Sequence, residues 1–178
     1  MFLKNEILHL RYYKPSDLDF LMTIRPNPEN YNFFGEFEPY SQEMQKAWWE
    51  KYTRTSTEFN YVVALNEGNR PIGTVSLINI DYRNKNCEFS RFFIDKKAKI
   101  SNAGSQVEKL ILDYSFLHLN LNKLWCKVIE DNKKVITFHQ RYGFKKDGIL
   151  RQELFKNGEY KNVIIMSILQ EEYLNKFR

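Results

Sequence analysis

Residues Glu130–Phe144 read EDNKKVITFHQRYGF and follow the short, mainly apolar run Lys123–Ile129, KLWCKVI. The run has the length and composition of a buried strand. Glu130-Asp131-Asn132 turns the chain, and Lys133 to Tyr142 is predicted as a helix. Asn132 stands where an N-cap belongs, and Gly143 where a helix ends on a left-handed residue. A strand, a tight turn and a capped helix in succession describe a protein that mixes helices with a sheet.

Working outward, Gly148–Phe155 and Tyr160–Leu169 read as two strands around Asn157-Gly158, a strong hairpin signal. On the other side lies an amphipathic helix, Ser105 to about Leu117, with Val107, Leu110, Ile111, Tyr114 and Leu117 at helical spacing. A polar, flexible stretch from Lys96 to Gly104 leads into it. Strands are expected at Leu8–Tyr12, Asn60–Leu65, Ile72–Ile80 and Cys87–Ile94, with turns at Glu67–Arg70 and Asp81–Asn86. Pro15-Ser16-Asp17 opens a helix to Ile24, and the prolines at 26 and 28 end it. After the aromatic-rich stretch Tyr31–Tyr40, Ser41 caps a second helix through Tyr52. The tail from Gln170 is polar with a few apolar anchors. The order β-α-α-β-β-β-α-β-α-β-β predicts an α+β fold with a mixed sheet, in one domain spanning 1–178.

Composition agrees. The chain has 178 residues, 43% hydrophobic and 28% charged, enough for one packed core without disulfide or metal staples. Cys87 and Cys126 fit no zinc or redox spacing, and three scattered histidines make a metal site an unattractive reading. The sequence shows neither a membrane-length apolar run nor a secretion signal, so a cytoplasmic protein without a membrane partner is expected. The net charge of +5 can attract an anion such as a phosphorylated cofactor. Acidic residues are interleaved with the basic ones, which argues against a nucleic-acid stripe.

Four features could carry chemistry. The approach to the Ser105 helix, Lys99-Ile100-Ser101-Asn102-Ala103-Gly104-Ser105, has small residues at a helix N-terminus, where amides and the helix dipole favour an anion. Asn102 and Gly104 can take left-handed backbone angles. Such junctions are also common without a ligand. His139 follows Phe138 on the last helix, where a lone histidine more often packs than reacts. Asn132 is a cap or a ligand contact, and Glu88 lies in a strand of apolar character, facing either solvent or a cleft. The ring set Phe33, Phe34, Trp48 and Trp49 is core or pocket wall.

Taken in order, these segments resemble the GCN5-related N-acetyltransferase (GNAT) family. Pro71–Leu77 (PIGTVSL) resembles its third strand and Cys87–Asp95 (CEFSRFFID) its fourth; Glu130–Phe144 resembles its last helix, and Gly148–Leu169 its closing hairpin. Two positions depart from the family pattern. In the cofactor loop, usually Arg/Gln-x-x-Gly-x-Gly/Ala, the matching residues are Lys99, Asn102 and Gly104. Where many members carry a proton-donating tyrosine, this chain has His139.

The resemblance implies acetyl-CoA as cofactor and direct acetyl transfer to a primary amine. It implies that Lys99, Asn102, Ala103, Gly104 and Ser105 take the pyrophosphate. Phe92, Phe93 and Ile94, with Asn132 and Phe138, would contact the pantetheine arm between splayed fourth and fifth strands. Glu88 is the implied base and His139 the implied acid to the leaving sulfur. Arg25, Phe34 and Trp48 are candidates for the acceptor wall. Related subgroups acetylate ribosomal-type protein N-termini, polyamines, or amino sugars on nucleotide carriers. His139 resembles the last of these, and the basic surplus would suit a nucleotide, so the expected acceptor is a nucleotide-linked amino sugar. The alternatives are a polyamine or a protein N-terminus and, in another class, a non-catalytic acyl-CoA-binding module. A homodimer is conceivable by fold analogy only.

Overall fold

The computed structural model describes residues 3–24, 41–52 and 55–177. They group into two compact units, one built from Leu3–Ser76 and Arg91–Val107, the other from Leu77–Ser90 and Glu108–Arg178. Arg25 and Phe34 lie outside the described residues. Seven strands form one sheet in the order β1-β2-β3-β4-β5-β7-β6. This is the GNAT-like α+β arrangement that the sequence predicts.

In the first unit, β1 (Leu8–Tyr12) runs antiparallel to β2 (Phe59–Leu65), from Leu8 opposite Leu65 to Tyr12 opposite Tyr61. β2 is buried from Asn60 to Ala64, so its apolar run is unbroken rather than alternating. α1 (Leu18–Ile24) is entered through a short turn at Pro15–Asp17. Asp17 is buried there. Its carboxylate accepts the Lys14 amide at 2.7 Å and a two-pronged contact from the Arg11 guanidinium at 2.7 and 2.8 Å. α2 (Gln42–Tyr52) starts as its cap predicts, with Ser41 Oγ accepting the Met44 amide. Trp48 and Trp49 pack on Tyr13, Leu21, Val62 and Ala64.

β3 (Pro71–Asp81) and β4 (Asn86–Ile94) contribute residues to both units. At Gly73 a side chain is impossible without movement, because a Cβ would sit 2.3 Å from the Phe93 carbonyl oxygen. Arg91 breaks the pleat of β4 with a φ of 51°, and its carbonyl accepts the Thr74 hydroxyl at 2.9 Å.

In the second unit, β4 pairs in parallel with β5 (Lys123–Ile129). β4 has nine residues and β5 seven, yet the register covers only Asn86, Cys87 and Glu88 against Lys123, Leu124 and Trp125. β5 then pairs antiparallel with β7 (Glu159–Leu169) along its whole length. β6 (Lys145–Lys156) closes the edge as a hairpin with β7, and Asn157 and Gly158 take φ of 51° and 82° at the turn.

The helices differ from expectation in two places. α3 spans Ala103–Asp113, not Ser105–Leu117, and widens into a π turn at Tyr114–His118. Gly104 is therefore helical, not left-handed, and part of the flexible approach is an ordered turn at Lys96–Ala98. The tail is also helical: α5 (Gln170–Phe177) folds back so that Tyr173 is 1% exposed, its ring 5.2 Å from that of Phe116. α4 (Lys133–Arg141) is capped as predicted. Asn132 Oδ1 accepts the Val135 amide; Gly143 (φ 100°) and Phe144 donate to the carbonyls of Gln140 and His139. Among the described residues no helix is long and apolar enough to cross a membrane.

Candidate functional site

The first unit carries the anion-type loop. Asp95 closes the end of β4, its amide donating to Ile72 and its carboxylate accepting the Lys97 amide. Lys99 and Asn102 both take left-handed angles, with φ of 54° and 53°. Gln106 steadies the loop from inside α3. Its amide donates to Asn102 and its side chain to the Ser101 carbonyl, while Asn5 Nδ2 donates to Gln106 Oε1. Ala103, Gly104 and Ser105 form the first turn of α3, which holds no acidic residue. Lys96, Lys97 and Lys99 precede it. A diphosphate fits this donor set: three lysines in sequence before a helix start free of carboxylates, and an asparagine in a left-handed backbone shape of the kind glycine also takes.

Phe92, Phe93 and Ile94 follow the break at Arg91 and are half-buried. The Arg91 guanidinium donates to Glu58 Oε2 and Asn60 Oδ1, both at 2.8 Å, and lies 5.7 Å from the Trp48 ring centroid. Burial raises the Glu58 carboxyl, but Arg91, through its hydrogen bond and charge, and Asn60 hold it below its ordinary value. Trp48 is thus part of a packed cluster. No sequence signal marks the Arg91 turn, because neither Arg91 nor its neighbours Ser90 and Phe92 are glycine or asparagine.

The second unit carries the acid–base candidates. Glu88 is 8% exposed, and its Oε2 accepts Asn79 Nδ2 at 2.9 Å. Burial, and then the Glu88 charge, push the neighbouring Cys87 thiol up to about 12. His139 is 4% exposed, with the rings of Phe89, Phe138 and Phe144 around it. Its Nδ1 stands 2.9 Å from Oε1 of Glu108, a fully buried residue of α3 that sequence reading missed. Burial opposes a charged His139 ring. The Glu108 charge, a hydrogen bond with Cys126 and the bond to Glu108 outweigh it, so His139 is pushed up to about 10. Burial raises the Glu108 carboxyl too, with His139 opposing. Both directions describe one proton kept between two partners at net zero charge. Asn132 spends its side-chain oxygen on the α4 cap, and Phe138 is half-buried, 5.6 Å from the Tyr142 ring.

The acetyltransferase (GNAT) domain family matches residues 8–145. This chain belongs to the GNAT family. It is an acetyl-CoA-dependent N-acetyltransferase, so the binding-module alternative falls away. Among its relatives, the spermidine N(1)-acetyltransferase of Vibrio cholerae is 33% identical over 97% of this chain and 98% of that protein. That of Escherichia coli K12 is 31% identical over 93% and 87%. The crystal structure of the Vibrio cholerae spermidine N-acetyltransferase in complex with CoA and spermine superposes with a TM-score of 0.88. It is 32% identical and covers 96% of this chain and 100% of its own.

Proposed function

We propose that this acetyltransferase acts on a polyamine such as spermidine. One observation carries the reading: the relatives named for that activity match this GNAT chain from end to end, at 33% and 31% identity over 97% and 93% of its length. They favour the polyamine alternative over the nucleotide-linked amino sugar that His139 and the basic surplus suggest. A polyamine is a polycation near neutral pH and calls for carboxylates. The chain offers Glu43 in the first turn of α2, and Glu36 and Glu38 just before it in sequence.

Acetyl-CoA supplies the thioester, an activated acyl group with a thiolate leaving group. Lys99, Asn102 and the first turn of α3 bind its diphosphate, and the main chain of Phe92–Ile94 guides its arm. Glu88 takes a proton from the incoming ammonium, directly or through water, because only the free amine is a nucleophile. His139 gives a proton to the departing sulfur. A main-chain amide of β4 polarises the carbonyl being attacked.

The test is thiol release from acetyl-CoA with a panel of amines: spermidine, spermine, a nucleotide-linked 4-amino sugar, and serine- or alanine-initiated peptides. Turnover with spermidine at least tenfold above every non-polyamine is the expected result. Turnover with the amino sugar or the peptides and none with polyamines overturns the reading.

A further inference from the structure

Glu108 sits on α3 without exposure, and only one of its oxygens is used. Oε1 meets His139 Nδ1 at 2.9 Å, and Oε2 is buried with no hydrogen-bond partner. A carboxylate placed this way gives up its hydration for a single bond to a single ring, which is a poor arrangement for stability alone. The titratable groups that face the ring among the described residues are Glu108 on α3 and Cys126 on β5. β4 presents the apolar ring of Phe89, and the Phe144 ring lies 5.0 Å from that of His139 between centroids.

We propose that Glu108 is the positioning residue for His139: it anchors the ring through Nδ1 and keeps it protonated, so that Nε2–H gives a proton to the leaving thiolate, with the Cys126 thiol as the ring's other polar neighbour. This rests on the reading of His139 as the acid. Imidazolium Nε2–H loses its proton as the sulfur's lone pair takes it, and the ring is left neutral with its Nδ1–H still on Glu108. The next proton enters at Nε2. The upward shift of His139 agrees with this geometry.

The test joins NMR of protein carrying isotope-labelled histidine with kcat measured against pH, for the parent and Glu108→Gln. The glutamine keeps the shape and removes the charge. In the parent the His139 ring stays protonated beyond about pH 8, well above an ordinary imidazole. In Glu108→Gln its titration falls by about two pH units or more, and the alkaline limb of kcat falls with it. Glu108→Asp restores part of both shifts. An unchanged ring titration in Glu108→Gln overturns the proposal, even if His139→Ala is slow. A moved titration with an unmoved kcat profile overturns the catalytic role of the pair. Full turnover in His139→Ala sinks the acid reading itself, which separates the two failures. Should Glu108→Gln not fold, the parent decides: a ring that titrates near its ordinary value overturns the proposal, and one still protonated beyond about pH 8 supports it.

Discussion

At the scale of single residues, Asn102 has to live with a φ of 53° at the mouth of α3. Asparagine tolerates that shape, and glycine tolerates it better; a β-branched residue loses roughly 1–2 kcal/mol. Asn102→Gly should therefore keep the KM for acetyl-CoA within about twofold, and Asn102→Val should raise it about tenfold. Steady-state kinetics on both variants checks this. Glu88→Gln should lower kcat about a hundredfold near neutral pH, with recovery as the amine loses its proton unaided. Full activity at every pH would remove Glu88 from the mechanism. Asn102, Asn132 and Gly143 were legible in the sequence because caps and left-handed positions are local chemistry. Glu108 was not. A glutamate beside Val107 reads as the polar flank of an amphipathic stripe, and its partner is 31 positions away along the chain.

At the scale of elements, the Glu108–His139 pair ties α3 to α4. His139→Ala leaves a buried carboxylate without its partner and should cost about 3–5 kcal/mol. The double change Glu108→Leu with His139→Phe should recover most of that loss, because an apolar pair has no charge to desolvate. Urea unfolding of the three proteins measures both. The sign of the pH dependence follows from the raised His139 value of about 10. The pair's contribution is complete below the unfolded imidazole's ordinary pKa and is lost as pH rises through about 10. The double variant should lack that alkaline loss. α5 is the element the sequence hid. Its few apolar residues look like tail anchors, and the helix is legible only once Tyr173 has the Phe116 ring to pack on. Tyr173→Ala should cost about 3–5 kcal/mol and lower the Tm by several degrees in a thermal melt. The π turn after Asp113 was equally hidden, since Tyr114 and Leu117 keep helical spacing through it.

For the whole molecule, the surplus of five positive charges favours one co-substrate over the other. Acetyl-CoA is an anion and gains from the general field; a polyamine is a cation and has to find its attraction in local carboxylates. Raising ionic strength from about 0.05 to 0.3 M should therefore raise the KM for acetyl-CoA several-fold more than its effect on the polyamine predicts from screening of an equal charge. Equal salt slopes for both would show that net charge does not guide either. The order of strands was legible because turn signals and apolar runs punctuate the chain clearly from Pro71 onward. The identity of the amine was not, because it depends on side chains brought together from distant segments of the chain.

Cys87 and Cys126, at 0% and 2% exposure, have a practical consequence. A dye that colours on meeting a sulfhydryl will find nearly none on the folded enzyme, so the colour tracks released coenzyme with almost no background. Add denaturant and leave out the substrates, and the same dye becomes a clock for how often the interior opens.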